Sequence, residues 1–354
     1  MAMKHLRNNV IRAGLDALYF TGAHRVLRPL LAGVGTIFML HHVRPARDDL
    51  FQPNRHLEIT PDFLRAVLEH VRAQDIDIVS LDEAHWRLTA GDFTRRFACF
   101  TFDDGYRDNR DHALPVMQKF DAPFTVYVAS DFAEGNGRLW WVALERLIAA
   151  TDRLDVQMSD ATVHFEMFDA DAKQAAFGRI HEWLRSLPND LQVQHEVSAL
   201  CAKYNVNDSS IARDLCMSWD ELKPFSQDKL VTIGAHTISH CNLAREAKPE
   251  AAREMRVSKE RIEAHLQKPA LHFAYPYGDK SAAASREFAL AQDIGFKTAV
   301  TTRPGMVFTE NAAHLMALPR ISLNGNYQHE RFLSVLTSGA ATAMWNGFRK
   351  VDAA

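Results

Sequence analysis

The chain is poor in cysteine, with 4 in 354 residues (Cys99, Cys201, Cys216 and Cys241) and no CxxC pair. That scarcity excludes a disulfide-stapled scaffold and a cysteine-built zinc knuckle. It has no excess charge of one sign, with 41 Lys and Arg against 44 Asp and Glu and a formal net charge of -3. Global electrostatics therefore give no reason to expect a nucleic-acid partner. No apolar run is long enough to cross a bilayer. The basic start is interrupted by Arg12, Asp16, Arg25 and Arg28 where a secretory signal would need its apolar core. The expected location is cytoplasmic or peripheral on the inner membrane. Repeats and low-complexity tracts are also missing. What is present, 47% hydrophobic and 24% charged residues, is ordinary globular composition.

Residues 1–35 read as an N-terminal helical segment. Within it, 5–32 suits an amphipathic helix pair with a Lys/Arg-rich face, read first as a cap packed on the domain and second as a peripheral membrane contact. From Thr36 the pattern alternates. TIFMLHHV (36–43), IDIVSL (76–81), RRFACFTFDDG (95–105) and PFTVYVA (123–129) read as strands. So do LVTIGAH (230–236), LHFAYPYG (271–278), FKTAVTT (296–302) and ALPRISLNG (317–325). Between them, Thr60 caps a helix with Pro61 at its first position and Phe63, Val67, Leu68 and Val71 on one face. Further helices are expected at 112–122, from Pro249, at 285–295 ending on Gly295, and at 329–336.

This alternation predicts an α/β domain over 36–336 built on a mostly parallel sheet or barrel, with chemistry at the carboxyl ends of strands. His41, His42, Asp103 and Asp104 all stand where an apolar strand stops. A largely helical insertion interrupts the rhythm at about 136–225, and its adjacent Trp140 and Trp141 read as packing before sugar stacking. Residues 337–354 read as a peripheral tail.

Two neighbouring carboxylates at the end of a buried strand are costly unless a proton or cation compensates them. The alternative for Asp103-Asp104 is a turn or cap in which the carboxylates only accept backbone hydrogens. His236 and His240 weigh against that alternative. In GAHTISHCNL they lie four apart just after a strand, where one helical turn would aim both imidazoles at one point. Two histidines and one carboxylate make the simplest joint account, a metal site with open positions, leaving the second carboxylate as a base. Zinc suits this ligand set first; cobalt, nickel, manganese and iron remain candidates. Cys241 is a lesser candidate ligand beside His240.

These segments resemble the polysaccharide deacetylase family, the NodB-homology group or carbohydrate esterase family 4. The resemblance rests on TFDDG at Thr101–Gly105, the histidine pair His236–His240, and Phe273-Ala274-Tyr275-Pro276-Tyr277-Gly278, in that order. It reaches from about Thr36 to Leu323 with the insertion excepted. It implies a distorted (β/α) barrel, commonly seven-stranded, and metal-dependent hydrolysis of acetamido groups on sugars. Asp103 would be the base, Asp104, His236 and His240 the metal ligands, and the Tyr277 backbone N–H an oxyanion donor.

Two departures matter. Many members carry an arginine where this chain has Ala274, and Arg320 is the candidate replacement. The family's late Leu-x-His, source of the general acid, reads here Leu318-Pro319-Arg320-Ile321. MLHHV, however, is similar to an early strand of the rearranged branch of biofilm poly-N-acetylglucosamine deacetylases. That match makes His41 the expected acid, with His42 its competitor. Tyr106 and Tyr275 read either as borders of a sugar subsite or as packing, Asp108 either as a partner of a group supporting the site or as a helix cap or surface residue, and Asn242 as a local structural group. The expected substrate is an N-acetylated glycan or lipid-linked saccharide. The alternatives are an O-deacetylase, a non-sugar amidohydrolase, or a catalytically weak carbohydrate-binding protein.

Overall fold

A computed structural model describes residues 2–353, with side chains from residue 9 onward. Seven parallel strands form a closed barrel: β1 (Gly35–Leu40), β2 (Phe97–Phe102), β3 (Phe124–Val128), β4 (Val231–Ala235), β5 (His272–Ala274), β6 (Thr298–Pro304) and β7 (Leu318–Ser322). Each pairs with its successor, and β7 returns to β1 to close the ring. The expected 76–81 strand shrinks to Asp77–Ile78, which pairs in parallel alongside the start of β2. Ser80 caps a helix that claims Leu81 onward, its side chain accepting from the Glu83 N–H.

The two-residue period of a strand divides the side chains between two compartments. Phe38, Leu40, Phe100, Phe102, Phe273, Tyr275 and Ile321 face the surrounding helices. Ile37, Cys99, Tyr127, Ala274, Val300 and Leu318 fill the barrel interior. The same parity carries Thr101 and Asp103 inward from β2, Arg320 inward from β7, and His41 inward just past β1.

Two helices precede the barrel, α1 (Ala2–Phe20) and α2 (Ala23–Leu31), and α3 (Pro61–Ala73) packs against its wall after the Thr60 cap expected from sequence. The side chains of residues 5–8, part of the proposed basic face, lie outside the described residues. Between β3 and β4 the insertion supplies α4 (Trp140–Ala150), α5 (Ala170–Ser186) and α6 (Asp190–Lys203) around a second apolar core. It also carries an antiparallel strand pair, Arg153–Met158 with Ala161–Glu166. The tail forms a short helix, α7 (Ala340–Trp345), packed on α2. Among the described residues, no helix is long and apolar enough to cross a membrane.

Candidate metal and catalytic centre

The centre lies at the carboxyl ends of β1, β2, β4 and β7. Asp103 follows β2 and is 2% exposed; Arg320 holds it by two parallel hydrogen bonds, Nη1 to Oδ1 at 2.7 Å and Nη2 to Oδ2 at 2.8 Å. Arg320 is itself fixed, its Nε donating to the Thr301 carbonyl at 2.8 Å. Burial alone would raise the Asp103 carboxyl, but the Arg320 charge and hydrogen bonds outweigh it and hold it at about 2. Ala274 faces the same interior, so the small side chain on β5 and the long one on β7 share one space.

Asp104 turns the other way because its backbone is left-handed, at φ 73°, followed by Gly105 at φ 66°. A non-glycine residue in that region is strained, and such strain collects at functional sites. His236 and His240 do not share the helical turn expected from their spacing. They sit on a tight loop with Thr237 and His240 both left-handed, at φ 64° and 61°, and the Thr237 hydroxyl accepts from the His240 N–H at 2.9 Å. The Glu254 carboxylate, from the helix Lys248–Leu266, pins the loop by accepting from the N–H groups of Ile238 and Ser239 at 2.9 and 3.0 Å.

This loop brings His236 Nε2 to 3.6 Å and His240 Nε2 to 3.3 Å from Asp104 Oδ1. The ligand atoms of all three residues lie within 4.8 Å of one another. Two ligands at about 2.0–2.1 Å from one tetrahedral ion stand about 3.3–3.4 Å apart, so the two measured carboxylate–imidazole spacings fit a shared cation. Asp104 Oδ1 is buried with no hydrogen-bond partner among the described residues, and burial followed by the Asp103 charge pushes its carboxyl up to about 8. Such a carboxylate lacks a cation. His236 Nδ1 lies 2.7 Å from the Ala274 carbonyl, which places the proton there and leaves the Nε2 lone pair for a metal. The residues present therefore fit one divalent ion. Cys241 instead packs into the apolar core.

The adjacent histidines go to different places. His41 Nε2 lies 3.9 Å from Asp103 Oδ2, and burial pushes its imidazole down to about 3. His42 is on the opposite face of the chain, with Nδ1 2.6 Å from Asp108 Oδ2 and its ring stacked on Tyr106 at 3.5 Å. Asp108 also accepts from the Val43 N–H. Tyr106 and Tyr275 are fully buried. Tyr106 belongs to the insertion core, and the outward-facing Tyr275 donates to the Met316 carbonyl at 2.9 Å, so neither borders an open subsite.

Tyr277 is left-handed at φ 61°, and its carbonyl accepts from the Thr302 hydroxyl. Its own hydroxyl donates to Asp190 Oδ1 at 3.0 Å and accepts from Trp140 Nε1 at 3.0 Å. Asp190 Oδ2 accepts from the Asn242 N–H at 2.5 Å, two residues beyond His240. Trp141 packs at 4.9 Å from the His240 ring. Sequence reasoning passed over Asp190 and Glu254. Asn189-Asp190 reads as a helix start, which it is, and Glu254 as one charged residue on a polar helix.

A closed barrel with a buried Asp/His/His cluster at its carboxyl pole is the framework of a metal-dependent hydrolase. The sequence profile described as polysaccharide deacetylase matches residues 90–299, more than half of the chain, and the chain belongs to that family. Among solved structures, a deacetylase from Streptococcus pyogenes in complex with acetate superposes with TM-score 0.54 at 18% identity, covering 82% of this chain and 92% of the other. A polysaccharide deacetylase from Bacillus cereus gives 0.52 at 17%, with 85% and 68% covered. IcaB from Ammonifex degensii gives 0.50 at 16%, with 82% and 91% covered. At these identities the likeness is one of fold. No curated protein sequence matches the chain significantly.

Proposed function

We propose that the chain is a deacetylase removing an N-acetyl group from a glycan or lipid-linked saccharide. One observation carries the reading: a three-residue ligand set lies beside a second carboxylate, Asp103, that Arg320 keeps ionised. A divalent cation bound by Asp104, His236 and His240, with zinc the first choice, would polarise the acetyl carbonyl and acidify the attacking water. Asp103 accepts that water's proton, and Arg320 fixes the direction in which it does so. The Tyr277 N–H donates to the oxygen on which negative charge develops. His41, whose Nε2 stands 3.9 Å from Asp103 Oδ2, passes to the departing amine the proton that Asp103 took from the water, so the proton count closes and the amine leaves neutral.

The rearranged branch, with poly-N-acetylglucosamine as the reference glycan, is favoured by where the chemistry comes from. The profile match begins after β1 and ends before β7, yet β1 leads to His41 and β7 carries Arg320. The test is acetate release from N-acetylglucosamine oligomers by protein stripped with chelator and reloaded with zinc, cobalt, nickel, manganese or iron separately. Activity with a reloaded metal, lost in Asp103→Asn, is the expected result. Turnover of O-acetyl esters alone would move the reading to an O-deacetylase. Oligomer binding without turnover under any metal would make the chain a carbohydrate-binding protein.

A further inference from the structure

The pole opposite the metal holds a feature that the hydrolytic reading does not use. Under α2 lies an open hollow of about 420 Å³ lined by Arg25, Arg28, Pro29, Ala32, Gly33 and Arg96. Three guanidinium groups line it and, among the described residues, no carboxylate does. Arg96 is anchored through Nη2, which donates to the Ala32 carbonyl at 2.8 Å, while its buried Nε and Nη1 have no hydrogen-bond partner among the described residues. Burial, and then the Arg28 charge, lower the Arg96 guanidinium to about 10. Uncompensated cations around a concavity call for an anion with several acceptor oxygens, and the fork of arginine suits phosphate.

The surface beside the hollow is apolar. At about 100° per residue, Val26 and Leu30 form one ridge along α2 next to the side carrying Arg25 and Pro29. They are 78% and 73% exposed, and Phe20 at the end of α1 is 75% exposed. Of the eleven large apolar side chains exposed among the described residues, seven lie on α1, α2 and residues 344–348. Elsewhere they are scattered singly, which needs no explanation.

We propose that this hollow binds the phosphate of an anionic phospholipid while the Val26–Leu30 ridge enters the same bilayer, docking the chain by the amino pole of its barrel. A free phosphate would leave the ridge without a role. A second copy of the chain would set guanidinium against guanidinium, whereas an anionic lipid surface satisfies both halves of the patch. Docking also orients the enzyme. Arg96 immediately precedes β2 and Asp103 follows it, so six strand residues separate the hollow from the metal centre. That is about 20 Å along the barrel. On the deacetylase reading, the carboxyl pole then faces away from the headgroups, toward glycan that extends beyond them.

Vesicle flotation of the full metal-loaded chain tests the docking without using activity. Vesicles of phosphatidylcholine mixed with phosphatidylglycerol should carry the protein up, and phosphatidylcholine alone or high salt should not. At about 1 kcal/mol per basic residue near an anionic surface, Arg25→Gln with Arg28→Gln should weaken partitioning by about 25-fold. Val26→Ser with Leu30→Ser should weaken it without altering its salt dependence, and both variants should keep the wild-type melting temperature and acetate release. Any of three results overturns the proposal: no vesicle binding by wild type, binding unchanged in both variants, or protection of the hollow by inorganic phosphate in a protein that ignores vesicles. Self-association that disappears in Val26→Ser with Leu30→Ser, without vesicle binding, would assign the ridge to a second copy instead. Absence of acetate release with intact vesicle binding would overturn the hydrolytic reading and leave this one standing.

Discussion

Arg320 and Asp103, 217 residues apart in the chain, meet inside the barrel as a bidentate pair with both side chains almost wholly buried. Removing one partner strands the other charge in a low-dielectric interior, which typically costs about 3–5 kcal/mol. Arg320→Met should therefore lose stability by about that amount in a denaturant melt. It should also cut kcat at least about 100-fold, because Asp103 loses its orientation and its ionised state. Asp103→Asn combined with Arg320→Met leaves no net charge behind and should be less destabilised than Arg320→Met alone. Equal destabilisation in the two would mean that the pair is not the source of the cost.

His41 and His42 should separate chemistry from structure. His42 is buried, hydrogen-bonded to Asp108 and stacked on Tyr106, so His42→Ala should destabilise the fold by about 2–3 kcal/mol and affect kcat chiefly through that loss. His41 is partly exposed beside Asp103, so His41→Ala should cost under about 1 kcal/mol in the same melt but lower kcat by about 100- to 10,000-fold. Comparable kcat losses with comparable melts would deny His41 the role of acid.

The barrel was legible because its strands are short apolar runs ending in punctuation, and period-two alternation already implied that Asp103 and Phe102 face different compartments. The Asp104, His236 and His240 cluster was legible because such residues are chemically unusual at strand ends. Their local geometry was not. Spacing of four suggested a helical turn at His236–His240, whereas left-handed Thr237 and His240 make a loop held by Glu254 from the following helix, 16 residues beyond Ile238. Left-handed backbone at a β-branched threonine has no composition signal, and at histidine only a weak one, since glycine is the residue that advertises it. The pairing of Arg320 with Asp103 was a hypothesis from a missing arginine at Ala274. Strand parity on β7 supplies the physical reason it is met.

Asp190 ties the insertion to the centre through two acceptor oxygens, one taking the Asn242 N–H and the other the Tyr277 hydroxyl. It is a positioning residue on this geometry, touching the loop of His240 and the turn of Tyr277 at once. Asp190→Ala should lower kcat about tenfold or more and weaken metal retention against a chelator, since both loops lose a shared anchor. Tyr277→Phe removes one of the two bonds and should have the smaller effect on metal retention. Unchanged kcat and metal retention in folded Asp190→Ala would reduce it to a helix-start residue.

Glu221 offers a pH-dependent test of the strap behind the TFDDG turn. Gly105 and Arg107 are zipped to residues 215–217 by backbone bonds, Arg107 N–H to the Leu215 carbonyl at 2.7 Å and Met217 N–H to the Gly105 carbonyl at 3.0 Å. Glu221 clamps that strap by accepting from Arg107 Nε at 2.8 Å and Arg110 Nη1 at 2.9 Å. These bonds, that from Arg107 foremost, lower its carboxyl from 4.5 to about 2. A group depressed on folding stabilises the native state above its unfolded pKa and loses that contribution as pH falls through the folded one. The contribution should thus be complete above pH 4.5 and fade toward about 2. Because the site is partly solvent-exposed, it should amount to about 1 kcal/mol. Glu221→Gln should be less stable than wild type by that margin near neutrality, and the two melting curves should converge as the solution is acidified. A gap that stays constant across the acid range would show that the carboxylate's charge is not what holds the strap.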